Sequence, residues 1–218
     1  MLFGLLLRRS VPLPTWRGWL VLLGVGVLAI TFVGRQACAF LTVNDPAPGG
    51  ALVIEGWLPG YAARTAIEEF RREHYDGLFV TGGPIEPESP LAHFGSYAAL
   101  MGSRLQRMGI AEVHLAPALE VRKDRTYSMA LALRDAMRAE GVPMAKINLI
   151  SVGPHSRRSR LIYQMAFGPE THVGTIAIED REFDPARWWT SSQGVRTVID
   201  EVIAYCYARF IFSPPVEG

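Results

Sequence analysis

The longest apolar stretch comes first: residues 19–34 read WLVLLGVGVLAITFVG without a charge. Its continuation to Val43 is interrupted only by Arg35 and Gln36, so the pattern predicts a helix over 16–41 that is long enough to span a bilayer. After a polar segment rich in proline and glycine, residues 44–50, the pattern changes. Short apolar runs now alternate with longer segments of helical period. The runs predict strands at 51–55, 77–81, 113–116, 146–152 and 173–178, and the segments between and after them predict helices near 61–73, 94–108, 125–140, 155–167 and 191–212. In the first of these helices Ala63, Ala66, Ile67 and Phe70 share one face, and the third stops at Gly141 and Pro143. In the last, Val195, Val198, Ile199, Val202, Ile203 and Cys206 are expected to pack on a sheet, and Glu201 and Arg209 argue against a second membrane span.

Strand–helix alternation of this kind predicts an α/β fold: a Rossmann-like three-layer sandwich with a five-stranded, mainly parallel sheet, preceded by one transmembrane helix. Right-handed crossovers leave few ways to wind the chain, and a strand order near 3-2-1-4-5 is expected, with a cleft at the carboxyl ends of strands one and four. The expected organisation is a cytoplasmic N-terminus (1–18), a membrane anchor (19–43), a tether (44–50), the α/β domain (51–212) and a short tail (213–218). Two hundred and eighteen residues suit one such domain and no more.

Charge sets the expected orientation. Arg8, Arg9 and Arg17 precede the apolar segment and only Arg35 lies near its far end, so the positive-inside bias keeps the N-terminus in the cytoplasm of a bacterial inner membrane and the domain in the periplasm. Trp16 and Trp19 stand where an interfacial belt belongs. Ala37-Cys38-Ala39 also has the A-x-A form of a signal-peptidase site, and a cleaved secretory signal is the alternative; either way the domain is exported. A net charge of +1 with no basic stripe speaks against nucleic acid as a partner. Cys38 and Cys206, far apart in sequence, suggest no disulfide framework.

Candidate chemistry gathers at the predicted strand ends. Glu55-Gly56 puts a carboxylate and a flexible backbone position at the cleft, with Glu55 as a base or ligand holder. Thr81-Gly82-Gly83 would let backbone N–H groups of Gly82 and Gly83 approach an anion. Arg122-Lys123-Asp124-Arg125-Thr126 gathers bases at a helix start, where Asp124 or Thr126 could cap and Arg125 could meet an anion. Ser151-Val152-Gly153-Pro154-His155-Ser156-Arg157-Arg158-Ser159-Arg160 is the strongest signal: a strand turning into a helix with a histidine for proton transfer and three arginines suited to phosphate. Trp188-Trp189 is expected as core or lid. His74, His93, His114 and His172 lack the spacing with acids that a zinc site needs, so no metal is predicted.

Four of these motifs in this order resemble the bacterial family named for SanA, ElyC and YdcF: Val53-Ile54-Glu55-Gly56, Thr81-Gly82-Gly83, Asp124-Arg125-Thr126-Tyr127 with Ala130, and the 153–158 block with His155 and Arg158 in the family's histidine–arginine spacing. The chain departs from the family at Glu55-Gly56-Trp57, where a glycine-rich strand end is common, and at Ser128-Met129, where an asparagine is common. The resemblance implies a Rossmann-like domain tied to envelope integrity, with roles in peptidoglycan-precursor or polyprenyl-phosphate lipid-carrier metabolism.

Residues and resemblance together suggest an anchored envelope protein that handles a phosphorylated or otherwise anionic small molecule or lipid. In that reading Glu55, Asp124 and His155 supply acid–base chemistry, and Gly56, Gly82, Gly83, Arg125, Thr126, Arg157 and Arg158 hold the substrate. The rivals are a non-catalytic scaffold or regulator of wall synthesis, and a nucleotide or S-adenosylmethionine binder. No cofactor is identified by motif.

Overall fold

The computed structural model describes residues 13–120 and 124–214. The chain divides between Gln36 and Ala37 into two units. The first is most of helix α1 (Trp16–Leu41), the one helix among the described residues that is long and apolar enough to cross a membrane.

The second unit is a five-stranded sheet in the order β3-β2-β1-β4-β5, with β1 (Ala51–Glu55), β2 (Gly77–Gly82), β3 (His114–Pro117), β4 (Lys146–Val152) and β5 (His172–Ile178). Every pairing between these strands is parallel. The strands alternate with α2 (Gly60–Arg72), α3 (Tyr97–Arg107), α4 (Arg125–Ala139) and α5 (His155–Phe167), and α6 (Ser192–Phe210) ends the fold. Order and class are those the pattern predicts.

Both faces of the sheet are covered because its strands are apolar on both sides for most of their length. Leu52, Ile54, Leu78 and Val80 pack with Ala62, Ala66, Met101 and Leu105 of α2 and α3. Val53, Phe79 and Leu149, offset by one residue, face the other way against Leu133, Met137 and Tyr163 of α4 and α5. Ser96 and Ser191 cap α3 and α6 by accepting from the N–H groups of Ala99 and Gly194.

Two expectations need correcting. Residues 44–50 are not a free tether: Asp45 pairs antiparallel with Thr175, and the buried Asn148 side chain bonds the N–H of Ala47 and the carbonyls of Ala47 and Gly49. Upstream, Val43 N–H donates to Ser156 Oγ at 2.8 Å, and Cys38 and Leu41 are buried with Phe183 and Val198. Helix α6, moreover, does not lay its long apolar face on the sheet. It packs on α5 and on the 3₁₀ turn Pro185–Thr190, burying Gly194, Val198 and Ala208, while Ile199, Val202, Ile203 and Cys206 stay exposed. The strand-facing sites are already filled by α4 and α5, which leaves α6 only their outer side.

Candidate functional site

The carboxyl ends of β1 and β4 meet where expected, and Glu55 lies there fully buried. An acid closes an otherwise apolar strand because its two oxygens find hydroxyls: Ser151 at the end of β4 and Ser159 in α5 each donate to it at 3.0 Å. Tyr163 lies beneath, bonded to Thr81 at 3.0 Å, and burial followed by the Glu55 charge pushes its phenol well above the ordinary range.

A tight turn through Gly153, at φ 44°, brings the chain from β4 into α5 and sets His155 as the first helical residue. Its Nε2 faces Glu55 Oε2 across 3.7 Å and has no hydrogen-bond partner among the described residues; its Nδ1 lies 2.8 Å from Glu201 Oε1. Arg158, one turn on, donates to both oxygens of Glu201, Nε at 2.8 Å and Nη2 at 2.9 Å, and through Nη1 to Thr126 Oγ1 at 3.3 Å. Arg158 Nη2 is also 2.8 Å from His155 Nδ1, because both donors share Oε1 as acceptor. Trp57 stands edge-on to the imidazole, 4.8 Å between ring centres.

Electrostatics follow from this packing. Burial disfavours the imidazolium, but the Glu55 charge and the hydrogen bond to Glu201 outweigh it and raise His155 to about 9. Burial would raise Glu201 as well, yet the hydrogen bonds from Arg158 and His155 hold it down at about 2. At neutral pH the Glu201 carboxylate thus stands against two cations, with Glu55 facing the imidazole from its other side.

Beside it runs a groove of about 880 Å³. One wall is apolar, from Trp57, Tyr97, Met129, Ile162, Tyr207 and Phe212; His155, Arg158 and Glu201 form its polar floor; Arg125, Asp124, Glu86 and Glu120 lie along the rim.

The expected site residues divide. Glu55, His155, Arg158 and Thr126 come together, but Arg158 is consumed by Glu201 and Thr126, so the expected phosphate grip there is corrected to a structural ion pair. Arg157 is not in the groove. Its guanidinium lies over the Phe40 ring at 4.1 Å and donates to the Phe40 carbonyl. Gly56 and Gly82 do not cradle an anion: a Cβ on either would stand 2.4 Å from the Tyr97 carbonyl oxygen or 2.5 Å from Ala98 N, so both exist to let the start of α3 approach the sheet. Gly83 does line the groove, with open space where a Cβ would go. Asp124 stands at the N-cap position of α4, at φ 55°, but its side chain makes no capping bond and accepts instead from Tyr207 at 3.2 Å. Arg125 is exposed on the groove rim with no ion pair among the described residues. Arg122 and Lys123 fall outside the described residues. Trp188 is half-buried and Trp189 exposed, away from the groove wall.

Glu201 is what sequence reasoning missed. A signal existed: it follows Val198 by three positions and precedes Ala208 by seven, the spacing of the one face of α6 that is buried. Among the described residues no group of three or more histidine, cysteine or acid side chains could hold a metal ion. Comparison with known proteins returns no match, whether to a family model, a curated protein or a solved structure.

Proposed function

We propose that the protein is an envelope protein anchored in the bacterial inner membrane, related to the SanA, ElyC and YdcF proteins, whose periplasmic domain takes a phosphorylated ligand with an apolar part. A polyprenyl phosphate or a glycan-lipid precursor has that chemistry. The observation that carries the reading is the groove itself: an apolar wall beside a polar floor, with Arg125 exposed at its rim and no ion pair spent on it among the described residues. The apolar wall suits a prenyl chain. Arg125, at the first turn of α4, suits the phosphate, because the N-terminus of a helix adds its own partial positive charge.

His155 is the one proton donor on the floor that is held charged at neutral pH, and it gives the site the means to protonate a leaving oxygen if the ligand is also a substrate. A purely binding role is favoured by a separate observation: Arg158 and His155 Nδ1 are both spent on Glu201, so the cluster's charges are paired from within.

The test is native mass spectrometry of the detergent-extracted full chain. Retention of a phosphorylated lipid by the wild type and by Arg157→Ala, with its loss in Arg125→Ala, supports the reading. Equal retention in both variants, or none in the wild type after incubation with farnesyl phosphate, overturns it. Release of inorganic phosphate from that lipid, abolished in His155→Gln, separates an enzyme from a binder.

A further inference from the structure

The line of α6 that points furthest outward carries Ile199, Ile203, Cys206 and Phe210, spaced i, i+4, i+7 and i+11. Ile203 is 63 % exposed and Phe210 78 %, and Ile211 continues the patch at 72 %. A helix that merely closes a soluble domain turns charge outward along this line; here the charges flank it, with Arg196 and Arg209 toward its two ends and Asp200 to one side. A contiguous line of exposed large apolar side chains is the kind of surface that marks a contact.

The occupant follows from where the chain leaves its membrane span. The last turn of α1 is folded into the domain and touches α6: the Phe40 ring meets Tyr205 edge-on at 5.7 Å, next to Cys206 in sequence, and Cys38 and Leu41 share a buried cluster with Val198. The hydrogen bond from Val43 to Ser156 follows at once, so the chain from Cys38 onward is already held by the domain. We propose that the exposed stripe of α6 lies in the headgroup region of the bilayer that α1 crosses, as a second, in-plane membrane contact. The helix has the character this needs, an apolar line with arginines beside it that can meet anionic headgroups. Tyr207 and Ala208 of the same helix line the groove, so this contact sets the groove mouth at the lipid surface. The inference rests on α1 spanning the membrane and not on the identity of the ligand.

The chain supplies its own probe, since Cys206 is exposed on the stripe and Cys38 is buried. The full-length protein is labelled at Cys206 with an environment-sensitive fluorophore and placed in vesicles of phosphatidylethanolamine and phosphatidylglycerol, with and without a lipid carrying a shallow spin-label quencher. Resistance of the vesicle-bound protein to carbonate extraction reports the span separately. Expected are strong quenching by the lipid and at least a fivefold loss of iodide quenching relative to the unfolded labelled chain. A label at Glu68→Cys in a Cys206→Ser background, on α2 across the sheet, should stay open to iodide. Ile203→Glu with Phe210→Glu should free the Cys206 label while leaving the thermal midpoint within 2 °C, because both side chains already face outward. Free access of iodide to Cys206 in carbonate-resistant protein overturns the proposal. So does equal lipid quenching at position 68, or Cys206-to-Cys206 cross-linking that survives dilution in lipid, which would assign the stripe to a second copy of the chain.

Discussion

His155 Nδ1 lies 2.8 Å from Oε1 of Glu201, a residue 46 positions further along the chain, and this contact ties α6 to the first turn of α5. Glu201 also takes both hydrogen bonds that Arg158 makes to a carboxylate, so one acid on the last helix pairs with two bases of the most conspicuous motif in the sequence.

Removing that acid leaves a buried guanidinium and imidazolium facing each other. Glu201→Ala should lower unfolding free energy by about 3–5 kcal/mol, as expected when one partner of a buried pair is deleted. Glu201→Gln, which keeps one acceptor, should cost less. Urea denaturation of the detergent-solubilised protein checks both, and a loss under 1 kcal/mol for the alanine variant would show the network to be dispensable.

Stability should depend on pH through two groups. The pKa of His155 is raised on folding, from near 6.5 to about 9, so its contribution is complete below about 6.5 and is lost as pH rises through 9. That of Glu201 is lowered from about 4.5 to about 2, so its contribution is complete above about 4.5 and is lost as pH falls through 2. The thermal midpoint should therefore stand highest between about 5 and 6.5 and decline above, with a decline that flattens in His155→Gln. A midpoint that still rises between pH 7 and 9 would contradict the charged imidazole.

The glycines separate packing from ligand approach. Gly56→Ala and Gly82→Ala each drive a Cβ into the backbone at the start of α3 and should cost about 1–3 kcal/mol, whereas Gly83→Ala meets nothing and should leave the denaturation midpoint unchanged. Equal tolerance at all three positions would mean that α3 sits further from the sheet.

Asn148 fastens residues 47–49 with three hydrogen bonds from the sheet interior. Asn148→Ala strands the Ala47 N–H and should cost roughly 1–3 kcal/mol. Limited proteolysis followed by intact-mass measurement should find a new cleavage within 44–50. An unchanged digestion pattern would show that the segment is held by its β5 contacts alone.

Local chemistry wrote most of the fold legibly. Strands apolar on both sides demand cover on both faces, crossovers have one hand, and glycine and proline stop the helices, so class, strand order and the meeting of β1 with β4 all follow from positions near one another in the chain. Glu55 and His155 were legible for the same reason, since each ends or begins an element at the switch point. What only the tertiary structure decided is which partner each polar group finds. Arg157 and Arg158 are neighbours, yet the 100° step between successive helical residues sends one over Phe40 and the other to Glu201. Gly82 reads as an anion turn until α3 is docked against it. The apolar line of α6 reads as core until α4 and α5 are seen to occupy the sheet first, because periodicity tells which residues share a face and only packing tells what that face meets.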